Sequence, residues 1–415
     1  PYGVIFNISY GVTLTINGPF EAGLYQVFSG DGSVKFGVAS VDEIHSRWFG
    51  AVGNGSTDDT AALRKWVASP GGVVTGPLYR GAYHTLVLDT GNYYVTGYIT
   101  SNASAQQINY VNVKGSGRAM ITANTGVVVF GGVGYNVQFK DIIFVNGATA
   151  IYIRTNNVDT DMILIEDCEF IDQTDYAIRT DNNSPSTHLK IIKNKFHIKS
   201  GLTNSGVGYF ETGDRIEFID NWVSCYSQYA FVNCGMLTIE RMLGVPGGDL
   251  LTGAWVKNYG TIRIRNCRLG GEYGGAPAVE NHAGITTSFP ISGGVIEIVN
   301  SDVYCVYTHG AVIKLYNLPS SIRLQKLTGM PESQLFSEHS LTDTMYNNFI
   351  RYGTADIDAD TYYNRNFVTN GSIKIYNIIY AKLTRLHPTK DIIDSADICG
   401  SGGYGGGWSI SRTFP

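Results

Sequence analysis

Charge is what this sequence has least of. Only 16% of its 415 residues are Asp, Glu, Lys or Arg, against about 25% in ordinary globular domains. The 30 basic residues fall short of the 35 acidic ones, leaving a net charge of -5. A binder of phosphate backbones carries a basic patch, so nucleic acid is not an expected partner. No apolar run reaches the roughly 18 residues a spanning helix needs, so no membrane insertion is expected. Cysteine is sparse. Cys168, Cys225, Cys234, Cys267, Cys305 and Cys399 form no C-x-x-C pair and have no His at zinc-ligand spacing. The expectation is free, buried thiols, with no metal, no cofactor and no disulfide framework. The signal-peptide pattern is missing, and the chain opens at Pro1-Tyr2-Gly3 without an initiator Met, so it reads as a fragment or a processed product. Helical periodicity is almost absent.

Glycine (50 residues), tyrosine (27) and alternation are abundant instead. With 43% hydrophobic residues the chain is not disordered. One octet recurs, with apolar residues at its first, third and eighth positions. A full copy is Ile163-x-Ile165-Glu166-Asp167-Cys168-Glu169-Phe170, and further copies start at Val137, Leu189, Ile216, Leu237, Ile262, Ile296 and Ile322. Period two means strands. A second apolar strand follows each octet: Ile151–Ile153, Ala177-Ile178, Val207–Phe210, Ala230–Val232, Ala254–Val256, Ala278-Val279 and Ala311–Ile313. Short strands in a repeat of this length describe coils of a parallel β-helix, because one coil cannot bury its own inward face and must stack on its neighbours. The sixth octet position holds Cys168, Asn194, Asn221, Cys267 and Ser301, which should stack at a bend and do structural work.

The fold expectation is therefore all-β: a right-handed parallel β-helix over residues 48–335 with a short capping helix near 58–68. Residues 1–47 form a strand-rich neck segment with turns at Asn17-Gly18 and Asp31-Gly32. Residues 336–415 form a C-terminal β region containing the Gly400–Gly407 stretch. Ser56-Thr57-Asp58 supplies the helix start and Pro70-Gly71-Gly72 its stop.

The run Trp48-Phe49-Gly50-Ala51-Val52-Gly53-Asn54-Gly55-Ser56-Thr57-Asp58-Asp59-Thr60-Ala61-Ala62-Leu63 resembles the entry motif of the pectate-lyase-like β-helix superfamily. Following a strand-rich stretch such as residues 12–20, it is similar to bacteriophage tailspikes and capsule depolymerases. That resemblance implies a homotrimer tied together by its C-terminal region and attached to the phage tail or baseplate through an upstream segment. It also implies a virion protein that acts extracellularly, binding or cutting the polysaccharide of a bacterial surface, capsule or O-antigen. The motif is a capping device, and Asp58 and Asp59 are not read as a catalytic pair. The polygalacturonase signatures are missing; Thr308-His309-Gly310 and Arg263-Ile264-Arg265 are their nearest echoes, in the wrong company.

Chemistry is expected on the outward face of the second strands. If their apolar residues point inward, period two sends out Tyr152/Arg154, Arg179/Asp181, Tyr209/Glu211, Phe231/Asn233, Trp255/Lys257 and Glu280/His282 on successive coils, spaced about 4.8 Å. Aromatic faces stack on sugar rings, and carboxylates and amides bond hydroxyls. Tyr152, Arg154, Arg179, Tyr209, Asn233, Trp255 and Lys257 are the candidate binding residues. Glu211 is the first candidate acid or base, since Tyr209 and Phe210 beside it would desolvate it. Asp181 on the neighbouring coil is its candidate partner for glycoside hydrolysis, and Asp214 is the nearby alternate acid or base. A β-eliminating lyase would instead use Lys257, Glu280 and His282, with Arg179 gripping an acidic sugar, and a non-cleaving glycan-binding spike is the remaining reading. Loops at Gly247-Gly248-Asp249 and Glu272-Tyr273-Gly274-Gly275 are further candidates.

Overall fold

The computed structural model describes residues 3–269 apart from 38–39, 72–83, 101–107, 135, 155–161, 182–187, 200–204, 212–214, 226–228 and 247–254; beyond 269 it describes the strands named below. The chain divides into two compact units, Pro1–Ile198 and Lys199–Pro415. Both are parallel β-solenoids, with one α-helix, Thr60–Val67, among the described residues.

In the first unit each coil lays down three strands. One coil runs through Met162–Glu166, Glu169–Ile171 and Tyr176–Thr180. The preceding coil supplies Val137–Asn146 and Thr149–Ile153, and the following one His188–Ile192 and Lys195–Ile198. Ladders are parallel and in the register set by the octet: Ile163 pairs with Leu189, Phe170 with Phe196 and Ile151 with Ile178. Alternation then drives every first, third and eighth octet residue into the core. Ile163, Ile165, Phe170, Leu189, Ile191 and Phe196 are all fully buried. The rings of Phe144, Phe170 and Phe196 stack coil on coil at centroid spacings of 5.2 and 4.7 Å.

The bend between first and second strands is made by residues at positive φ: Asp141 (57°), Asp167 (52°) and Lys193 (57°). Asp tolerates this left-handed conformation because its short side chain bonds locally; Lys has no such compensation. The next residue turns inward and closes the corner. Asn194 Oδ1 accepts the Cys168 N–H at 2.9 Å, while its Nδ2 donates to the carbonyls of Ile165 and Ile192, both at 3.0 Å. Stacked corner residues thus satisfy backbone groups that a bend leaves unpaired.

The second unit repeats the plan. First strands are Arg215–Ile219, Met236–Glu240, Thr261–Arg265 and Val295–Val299, and third strands are Gly206–Phe210, Phe231–Asn233, Val256–Asn258 and Val279–Asn281. Asp220, Arg241 and Asn266 hold the positive-φ bend, and Asn221 and Cys267 are buried behind it; Ser301 lies outside the described residues. Cys168, Cys225, Cys234 and Cys267 are free and buried, and burial pushes the Cys168 thiol up to about 12 and the Cys267 thiol to about 11.

The repeat departs from expectation after Val299. The third strand is Val306–Thr308, not Ala311–Ile313, and Val312–Tyr316 already pairs with Val295–Val299 as the next first strand. A shortened coil moved the register, which an apolar count spaced by habit could not detect. The copy placed at Ile322 lies outside the described residues, as does Gly400–Gly407. Farther on, Ile373–Tyr376 pairs in parallel with Val312–Tyr316 and antiparallel with Trp408–Ile410, and Asn348–Tyr352 pairs antiparallel with Ala381–Arg385.

At the other end, Phe6–Asn7 pairs with Phe28–Ser29 and Thr13–Ile16 with Ser33–Phe36, both in parallel. The entry motif explains its own glycines: Gly50, Gly53 and Gly55 all adopt positive φ (86°, 63° and 79°), where a Cβ is strained. Helix initiation differs in detail from the sequence signal. Asp59 occupies the N-cap position yet points back, its carboxylate accepting the N–H groups of Val52 (2.6 Å) and Gly53 (3.0 Å). Asp58 takes the capping bond instead, from Thr60 N–H at 3.0 Å, and also holds the Thr96 hydroxyl at 2.6 Å. Leu63, Trp66 and Val67 are the helix's buried face, and Trp66 Nε1 donates to Ile44 O at 2.8 Å.

Candidate functional site

Third strands carry the expected face. In the first unit Tyr152 and Arg179 are direct register partners on adjacent strands, flanked by buried Ile151, Ile153, Ile178 and Thr180. The Arg179 guanidinium lies 6.0 Å from the Tyr152 ring centroid and its Nη1 bonds Asp175 Oδ2 at 2.7 Å. One step along the strands, Arg154 Nε meets Asp181 Oδ2 at 3.2 Å. Tyr152, Arg154, Arg179 and Asp181 are therefore brought together, as expected, with Asp175 as a partner that the sequence reading missed. No periodic signal marks Asp175: it sits in the turn before the strand, where the octet says nothing.

In the second unit the ladder row through Tyr209 continues in register to Val232, Lys257, Glu280 and Tyr307. Lys257 Nζ is flanked by two rings, 5.0 Å from the Tyr229 centroid and 5.7 Å from that of Tyr259, within the range where ammonium and aromatic face attract. Neither tyrosine was singled out in the sequence; Tyr259 stands two residues beyond Lys257, where period two would have found it. Glu211 closes the Gly206–Phe210 strand half-buried. The Cys234 thiol registers its charge: burial, then the Glu211 carboxylate, push that thiol up to about 12.

Phe231, Asn233 and Trp255 do not face outward. The Phe231–Asn233 strand departs from the expected alternation: Val232 pairs in register with Tyr209 yet is only 6% exposed, and Phe231 and Asn233 are fully buried. Phe231 packs edge-on against Phe218 at 4.9 Å. Asn233 Nδ2 bonds Asn258 Oδ1 at 2.7 Å, and Asn258 Nδ2 bonds Gly260 O at 2.8 Å, so these asparagines pair along the stack rather than meet a ligand. A fully buried asparagine departs from the usual rule, and the in-stack amide bond is what makes its burial cheap. Trp255 precedes its strand and is 1% exposed, and a Cβ placed on Gly244 would come within 2.9 Å of its ring. Asp214, His282 and both candidate loops lie outside the described residues. Among the described residues no three His, Cys, Asp or Glu side chains converge as metal ligands would.

A second polar cluster, absent from the sequence reading, joins the entry segment to the following coil. Asp89, 4% exposed, accepts from Ser46 Oγ at 3.0 Å and from Arg47 N–H at 3.1 Å, and His45 Nδ1 lies 2.8 Å from its other oxygen. The Tyr93 hydroxyl is 3.2 Å from Ser46 Oγ. Burial pushes the Asp89 carboxyl up, but the bonds from His45, Arg47 and Ser46 outweigh it and hold the group below its ordinary value.

No family model matches the chain, and no curated protein matches it. Two solved structures are similar to it. The protein ORF18 of Geobacillus virus E2 is 15% identical with a TM-score of 0.37, over 67% of this chain and 58% of the viral one. The A-module of the mannuronan C-5 epimerase AlgE4 from Azotobacter vinelandii is 12% identical with a TM-score of 0.32, over 68% of this chain and 95% of the module. This chain thus spans well under two thirds of the viral protein's length, and neither likeness carries an argument about activity.

Proposed function

We propose that the chain is the solenoid of a phage tailspike that recognises a bacterial surface polysaccharide and depolymerises it, with glycoside hydrolysis favoured. The observation that carries this reading is the third-strand face. The first unit presents a tyrosine in ladder register with a cation, Tyr152 with Arg179; the second carries Tyr209 and Lys257 two strands apart on one ladder row; and Asp181 and Glu211 each stand just beyond the end of a third strand. Rings of that kind stack on sugars while the ionic groups bond hydroxyls, and strands stacked about 4.8 Å apart repeat the contacts along an extended chain. The entry motif at residues 48–63 supports the same reading through its resemblance to tailspikes and capsule depolymerases.

Glu211 is the proposed acid or base, Tyr152, Arg154, Arg179, Tyr209 and Lys257 the proposed grip. A homotrimer at the phage tail, acting at the host surface, completes the reading. Loss of a general acid or base costs about 10²- to 10⁴-fold, so Glu211→Gln should abolish shortening of a bound capsular or O-antigen polysaccharide, followed by size-exclusion chromatography with light scattering. Retained cleavage removes Glu211 from the mechanism. A bound polymer whose length never changes with the unmodified chain overturns the depolymerase. One observation favours that second outcome, a non-cleaving spike: Asp181 is held by Arg154 at 3.2 Å, an arrangement suited to gripping rather than to passing protons.

A further inference from the structure

Several cations among the described residues are neutralised by carboxylates. Lys140, Arg154, Arg179, Arg215 and Arg241 each meet a carboxylate at 3.2 Å or less. Three cations in the first unit break that pattern and share one cleft of about 580 Å³ between the Ser33–Phe36 strand, the C-terminal end of the helix and the segment around Tyr98: Lys35, Arg64 and Lys65. Their partners are backbone carbonyls. Lys35 Nζ donates to Ala68 O and, at 3.5 Å, to Pro70 O. Lys65 Nζ donates to Gly30 O, and Arg64 Nε donates to Tyr98 O at 2.8 Å. Among the described residues, the carboxylate within ion-pair reach is that of Asp31, 4.0 Å from Lys65 Nζ and 86% exposed.

Donors are therefore left over. An ammonium offers three N–H groups and a guanidinium five. Lys35 has one to spare, Lys65 two, and Arg64 has the four of its terminal nitrogens. The guanidinium is also held flat, its Cζ 4.2 Å above the ring of Tyr98, which is itself 42% exposed. A planar, pre-oriented fork is suited to a carboxylate or phosphate. We infer that this cleft is an anion-binding site, taking a carboxylate or phosphate group, with Arg64 and Lys65 as its principal donors and Lys35 at its base. Burial pushes the Lys35 ammonium down, so an anion beside it would stabilise its charged form. The site is separate from the third-strand face and does not depend on the function proposed for it.

Calorimetric titration of the full chain at fixed ionic strength tests this, using sodium glucuronate, inorganic phosphate and, as the neutral control, glucose. Either anion should bind while glucose does not; glucuronate alone identifies a carboxylate site, phosphate alone a phosphate site. Lys65→Gln should weaken binding about five-fold, the size of one partly exposed charge contact. Asp31→Asn should tighten it, because the variant removes the nearest competing carboxylate. That substitution lies on an exposed side chain, so it remains informative if Lys65→Gln fails to fold. Absence of heat with both anions, or constants that neither substitution moves, overturns the inference.

Discussion

A single corner asparagine shows how much rests on one side chain in this fold. Asn194 makes three hydrogen bonds to backbone groups of two coils while 1% exposed. Leaving buried backbone groups unpaired costs about 1–3 kcal/mol each, so Asn194→Ala should lose about 3 kcal/mol in urea unfolding. A loss under about 1 kcal/mol would mean that water takes the amide's place. Asp89 makes a different prediction, in pH. Its folded carboxyl titrates below the ordinary value near 3.9. Its contribution is therefore complete above that value and is lost as pH falls through the folded one. Between about pH 4 and pH 2 the unmodified chain should lose urea resistance faster than Asp89→Asn does; parallel curves would show that the cluster does not couple to folding. Corner residues were legible because the octet repeats them. The buried Asn233 was not, since hydropathy alone sends an asparagine to the surface and the deciding bond, Asn233 to Asn258, joins residues of separate coils.

Stacked strands draw their stability from ladders of like residues. Phe170 sits between Phe144 and Phe196 with rings nearly parallel, 12° and 5° from its neighbours. Phe170→Ala should cost about 3–5 kcal/mol, and Phe170→Leu clearly less, both read from chemical denaturation; equal losses would mean that ring stacking, not volume, dominates. Period two made these strands and their core faces readable in the sequence, from Val137 through Thr261–Arg265. It failed at Val306–Tyr316, where a coil shortens, because alternation reports which residues face inward but not which strand of a coil they belong to. The helix was also legible: Asp58, the last residue of the start signal, makes the capping bond, while the N–H groups of Val52 and Gly53 claim Asp59 at the N-cap position. Similarly, Asp175 and Tyr229 lie outside the regular strands, where no period points to them.

For the molecule as a whole, the proposed trimer makes a plain prediction. Light scattering should return three times the 45.2 kDa chain mass, and a stable monomer would remove assembly from the reading. Val4, Ile5, Phe6, Tyr10 and Val12, all at least 47% exposed near the start of the chain, are surface that such an assembly has reason to cover. The coil register has a further consequence, for how the first unit comes into being. From Val111 onward its ladders join residues 20 to 27 apart, as Cys168 and Asn194 are, and in the entry segment the separation reaches 42, from Glu43 to Thr85, so contacts there wait for no distant part of the chain. Loop closure over such spans is inexpensive and repeats from coil to coil, and each finished coil offers a template edge to the next. Acquisition of structure is then a zipper running along the chain in the order of synthesis, and its slow step is the laying of the first coil.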